Sequence, residues 1–230
     1  MLNRSLLAAL LLGLTAGSVC AQPVTRHLGG DKSGCPMTLV YDPAVFRVAT
    51  AVAEKFAKPD LDDLVAMEGL AGIGSFKEPS TGRVWYLYNS FGMSCDPYFL
   101  FISATKGKER VEVGGEHMRF LGPSEFTLRG KLNLYFEIEQ RFVWEGGKPV
   151  EKVPPYYTVS RATKSLKELT FTPDKAGAAA ETLPAGMKLS VMGYVPSGDP
   201  QRALVKTPDG RQGWIGLYDG ALEGVKFYGD

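Results

Sequence analysis

Across residues 131–144 apolar and polar side chains alternate. Leu132, Leu134, Phe136 and Ile138 interleave with Asn133, Tyr135, Glu137 and Glu139. A period of two is the repeat of a pleated strand, so this stretch predicts a long strand with one buried face. A strand of this kind must pair and must cover its apolar side, which commits the chain to a core built on sheet. Other segments agree. Residues 83–89 (RVWYLYN) and 98–103 (YFLFIS) are aromatic and β-branched, and residues 110–113 and 118–121 are shorter strand candidates. Glu145-Gly146-Gly147-Lys148 reads as a turn. Residues 150–159 read as a returning strand interrupted by Pro154-Pro155, a pair tolerated best at a sheet edge.

One region carries a helical signal. Asp42 is a good N-cap, and Pro43 suits the first helical position. Val45, Val48, Ala49, Val52, Ala53 and Phe56 recur at steps of three and four, and Pro59 ends the pattern. A short second helix is expected over residues 61–68 with Asp60 as its cap. Gly69, Gly72 and Gly74 (GLAGIG) then read as a turn, without the flanking elements of a nucleotide-binding loop. Residues 35–160 therefore read as an α+β domain, with a helical layer against an antiparallel sheet.

The amino terminus predicts export. Arg4 supplies the positive region, residues 6–14 an apolar run broken only by Gly13, and Val19 and Ala21 the small residues for cleavage before Gln22. The apolar run falls short of the roughly 20 residues a membrane span needs, so residues 1–21 read as a cleaved signal. Cys20 is a poor lipidation site, because Val19 precedes it. Residues 22–34 read as a flexible lead-in. Cleavage leaves Cys35 and Cys95, and an even pair in an exported chain reads as a disulfide. It would close a loop of about 60 residues and contribute about 3–4 kcal/mol.

The full chain holds 26 Lys+Arg and 25 Asp+Glu; loss of Arg4 leaves 25 against 25. A neutral mature chain does not favour nucleic acid or an anionic membrane surface as partner. No later hydrophobic segment is long enough to span a membrane. The expected compartment is the periplasm.

Residues 161–168 read as a polar link, and the style of the chain then changes. Residues 183–193 (LPAGMKLSVMG) and 203–215 (ALVKTPDGRQGWI) form two candidate hairpins. Asp209-Gly210 sits at the turn of the second, and Gly213-Trp214-Ile215 on its returning strand. Over residues 169–220 these features resemble the bacterial SH3-like domain, whose last turn leads into Gly-Trp-(Val/Ile). The first strand departs from that family's pattern, being Leu169-Thr170-Phe171-Thr172-Pro173 with no arginine. The resemblance implies a small all-β barrel after the α+β domain, with residues 221–230 as a tail. It also implies recognition of peptide, in peptidoglycan stems or in a protein partner, at a shallow groove. Trp214, Tyr194 and Tyr218 are the candidate binding residues.

No catalytic signature is present. HExxH, CxxC, GxSxG and GxxxxGK[ST] are all absent, and the only histidines are His27 and His117. Neither a cofactor nor a metal site is expected. Asp60, Asp62, Asp63 and Glu68 lack the spacing of a calcium loop. Trp85, Tyr86, Tyr88, Phe91, Tyr98, Phe99 and Phe101 crowd around Cys95; they read first as sheet core and second as a binding patch that Tyr156-Tyr157 would extend. The leading expectation is a non-catalytic binding or accessory protein of the cell envelope. The alternatives are a periplasmic inhibitor or immunity protein acting through the N-terminal domain, and a wall hydrolase using His117.

Overall fold

The computed structural model describes residues 22–28, 36–48, 70–90, 97–104, 109–131 and 134–227. In chain order its strands are β1 (Val24–His27), β2 (Thr38–Tyr41), β3 (Phe46–Val48), β4 (Ala71–Lys77), β5 (Val84–Ser90), β6 (Tyr98–Ser103), β7 (Arg110–Gly114), β8 (His117–Phe120) and β9 (Glu125–Gly130). They continue as β10 (Ile138–Glu145), β11 (Lys148–Glu151), β12 (Tyr157–Lys164), β13 (Leu169–Pro173), β14 (Glu181–Leu183), β15 (Lys188–Val195), β16 (Arg202–Lys206) and β17 (Gln212–Gly216). Three sheets result, ordered β1-β2-β8-β9-β10-β11, β3-β4-β5-β6-β7 and β12-β15-β16-β17-β13-β14.

The first two sheets face each other as a sandwich. Their shared core takes Leu39, Met118, Phe120, Phe126, Leu128, Phe142 and Trp144 from the first sheet, and Phe46, Ile73, Phe76, Trp85, Leu87, Phe99 and Phe101 from the second. The rings interlock: Phe120, Phe126 and Phe142 stack in succession, and Trp144 meets Phe76, Trp85 and Phe101. Aromatic pairs in these geometries add to simple area burial. The crowded aromatics of β5 and β6 are thus sheet core. On the other side of those strands Tyr88, Leu100 and Ile102 form a second buried cluster with Leu70. At the rim of the sandwich, Glu109 bridges Arg83 and Lys148 at 2.5 Å each.

The expected α+β N-terminal domain is corrected to all-β, for the described residues contain no helix. The capping chemistry at Asp42 exists, but it closes a turn. Asp42 Oδ1 accepts the Ala44 N–H at 2.8 Å, and the Asp42 carbonyl accepts the N–H groups of Val45 and Phe46. The chain then extends as β3, because Phe46 is swallowed by the core between Tyr41 and Phe120. The remainder of that helix signal, the helix expected over 61–68, the signal segment, Phe91, and Cys35 and Cys95 with their proposed disulfide lie outside the described residues. The GLAGIG turn is corrected in part: from Ala71 onward it is strand. Gly74 is required there because a Cβ would fall 2.2 Å from the Arg47 carbonyl oxygen, where β3 crosses close.

The third sheet encloses its own core. Leu169, Phe171, Leu183, Leu189, Val191, Tyr194, Ala203, Val205 and Ile215 all point to one side. Irregular register between Thr158 and Arg161 on β12, and between Val191 and Gly193 on β15, lets the sheet bend around that side. Several boundaries move relative to expectation. The returning strand over 150–159 is split by Pro154-Pro155, with Lys148–Glu151 in the first sheet and Tyr157–Lys164 in the third. Residues 161–164, expected in a link, are therefore strand. The expected tail is also structural, since Ala221, Leu222 and Val225 are buried in this core. Finally, the long strand over 131–144 begins only at Ile138. Before it, Tyr135 and Phe136 leave the first sheet and enter the third sheet's core.

Candidate functional site

β16 and β17 form the expected closing hairpin, with Thr207–Gly210 at its turn. The first candidate hairpin is different: β14 pairs with β13, and only the turn at Pro184–Met187 connects β14 to β15. On β17, Gly213 and Ile215 face the core while Trp214 faces outward, half-buried. Its ring is held from three sides. Tyr156 meets it edge-on with centroids 6.0 Å apart, the Arg202 guanidinium lies 5.4 Å above it, and Nε1 donates to Asp174 Oδ1 at 3.3 Å. Tyr156 is itself seated over Gly193, where a Cβ would approach it to 2.6 Å.

Trp214 and Tyr218 line one groove of about 690 Å³, together with Arg202, Pro200 and Glu168. Tyr218 is exposed, with Lys167 Nζ 5.4 Å from its ring centroid and its hydroxyl donating to the Glu168 carbonyl at 3.4 Å. A cation over each ring sets positive charge beside flat apolar faces. Tyr194, the third candidate, is fully buried and does not belong to this groove's wall. It lies opposite Ala203 in the β15–β16 ladder with its ring in the core. Its hydroxyl accepts the Tyr135 N–H and donates to Gln201. Burial pushes its ionisation up to about 12.

A second concavity of about 550 Å³ opens where the sandwich meets the third sheet. Its floor is Ile138, Gln140 and Phe142 on β10; its sides are β7 and β11, each the last strand of its sheet. Pro154, Pro155, Tyr156 and Tyr157 close one end, and Val195, Pro196 and Ser197 the other. Ser197 borders both concavities, so they meet at the loop between β15 and β16. Tyr157 donates its hydroxyl to Glu151, and burial together with that carboxylate holds the phenol well above its ordinary range. Sequence reasoning offered Tyr156 and Tyr157 only as an extension of its alternative aromatic patch and missed this cleft, which depends on the crossing of Pro154-Pro155 from one sheet to another.

His117 lies in neither concavity. It begins β8, with Nδ1 hydrogen-bonded to Thr38 Oγ1 at 2.8 Å across the parallel β2–β8 pair and Nε2 3.6 Å from Glu116. Among the described residues no three His, Cys, Asp or Glu side chains gather as metal ligands would, and no helix is long and apolar enough to cross a membrane. Comparison with protein-family models, curated proteins and solved structures finds no significant match.

Proposed function

We propose that this chain is an exported, non-catalytic binding protein of the cell envelope, and that its C-terminal module, SH3-like in character, recognises peptide. The observation that carries the reading is the Trp214–Tyr218 groove. It has two outward aromatic faces, a guanidinium and an ammonium over them, and the Glu168 and Asp199 carboxylates nearby. Such a shallow, amphipathic surface suits an extended chain with alternating apolar and charged groups. The β16–β17 hairpin, with Gly213-Trp214-Ile215 returning from the Asp209-Gly210 turn, supports the SH3-like reading. Peptidoglycan stem peptide is the first ligand to test, and a protein segment the second.

The test is co-sedimentation of chain 22–230 with purified sacculi, beside the Trp214→Ala/Tyr218→Ala double variant. Deletion of the module is unsuitable, because Tyr135 and Phe136 are packed inside its core. Retention of the parent chain and release of the variant, with unchanged circular dichroism, is the expected result. A parent chain that stays in the supernatant removes wall peptide as the ligand.

A further inference from the structure

The cleft between the sandwich and the third sheet has a lining of one sign. Glu112 on β7 and Glu151 on β11 border it, and no lysine, arginine or histidine does. Four other carboxylates of the sandwich, those of Glu109, Glu125, Glu137 and Glu145, sit against bases. Glu112 and Glu151 have no ion-pair partner among the described residues. Glu151 instead accepts the Tyr157 hydroxyl, which orients its carboxylate beside the cleft. Apart from Gln140 and Ser197 the rest of the lining is mainly apolar or aromatic, including Phe142, Pro155 and Tyr156. The two sides are edge strands, whose outer backbone groups suit pairing with an extended chain.

We propose that this cleft takes an extended peptide segment bearing a basic side chain, whose positive group is held by the Glu112 and Glu151 carboxylates while its stem packs on Tyr156. The inference deepens the peptide-binding reading and rests on it. Since the two concavities meet at Ser197, one strand of peptide can run from the Trp214 groove into the cleft. Charge complementarity selects the occupant: an acidic or neutral segment would bury these carboxylates without compensation, whereas a lysine or other amine-bearing residue pairs them.

The experiment uses isotopically labelled chain 22–230 and three blocked heptapeptides, Ac-Ala-Pro-Ala-X-Ala-Pro-Ala-amide, with lysine, norleucine or glutamate at X. Amide shifts of Gln140, Glu151 and Ser197 report the cleft, and those of Arg202, Trp214 and Tyr218 report the groove. The lysine peptide should shift the cleft amides and bind about tenfold more tightly than the norleucine peptide, the size expected of a hydrogen bond to a charged group. The Glu112→Gln/Glu151→Gln variant, with an unchanged melting temperature, should lose that preference. Equal binding of lysine and norleucine peptides, or a preference untouched in the double variant, overturns the inference. So does a lysine peptide that leaves the cleft amides unmoved at low-millimolar concentration. Shifts confined to the groove would sink the cleft and leave the peptide-binding groove standing. Lysine-dependent shifts confined to the cleft would support the inference and sink the groove.

Discussion

The Tyr194 hydroxyl accepts the backbone N–H of Tyr135 at 3.3 Å, so one buried hydrogen bond joins the third sheet to a loop of the first. Phe136 follows directly and meets the Tyr194 ring edge-on at 5.2 Å. A side chain wholly inside the protein thus ties the β9–β10 loop to β15.

Tyr194→Phe keeps the ring and removes the hydroxyl. The Tyr135 N–H loses its partner in a buried setting, and the half-buried Gln201 side chain loses one as well, which costs about 1–3 kcal/mol. Urea unfolding should show that loss of stability, and amide exchange at Tyr135 should accelerate. An unchanged midpoint would mean that water replaces the hydroxyl at no cost.

Phe136→Ala is the harsher test of the same joint. Phe136 is 3% exposed and lies in the third sheet's core although it sits in the connection between β9 and β10, two strands of the first sheet. Truncation should cost about 3–5 kcal/mol. The loss should also separate the two halves, so that amides of β12 and β15 exchange faster than those of β5 and β6. Uniform acceleration across all three sheets would show instead that the protein unfolds as one unit.

These two residues also mark where the sequence stops being readable. The alternation over 131–144 correctly announced a strand from Ile138, because the side chains beyond it do face one core and solvent in turn. Tyr135 and Phe136 break the rule: both are buried, in another sheet's core, and no local pattern encodes a partner reached across the junction. The strands β5 and β6 were legible to within a residue, since aromatic and β-branched runs fit a sheet buried on two sides. The segment after Asp42 was not, because Asx-capped turns and helix starts use the same residues, and the pull of the core on Phe46 decides between them. Of the three candidate residues named from the resemblance, Trp214 and Tyr218 line one groove. Tyr194 could not be separated from them, because the irregular register at Gly193 sets which way β15 turns its side chains.

Gly213→Ala tests the packing beneath Trp214. A Cβ there would stand 2.5 Å from the Phe171 ring and 2.6 Å from the Thr172 carbonyl oxygen, and Phe171 is fully buried and unable to yield. Overpacking of this kind costs about 1–3 kcal/mol. At Gly122, nothing lies within 4 Å of the corresponding position, so Gly122→Ala should be neutral or slightly stabilising. Thermal melts of the two variants should move apart; a pair that melts together would mean that β17 shifts to admit the methyl.

Glu78 sets an acid limit on the sandwich. It sits fully buried at the turn between β4 and β5, where its carboxylate accepts the N–H groups of Ser80 and Thr81 at 2.7 and 2.8 Å and the Thr81 hydroxyl. Burial alone would raise its pKa, but the hydrogen bonds from Ser80 and Thr81 outweigh it and bring the group from its ordinary 4.5 down to about 2. A carboxylate more acidic in the folded than in the unfolded chain stabilises the fold above its unfolded pKa. That stability is lost as pH falls through the folded value, so the window runs from about 4.5 down to about 2. The difference is on the order of 3 kcal/mol. Urea midpoints measured across that window should fall for the parent chain. Glu78→Gln should start lower at neutral pH and lose part of the acid slope, the other carboxylates supplying the rest. A variant whose acid slope matches the parent's would show that the turn is held by its backbone hydrogen bonds and not by the charge.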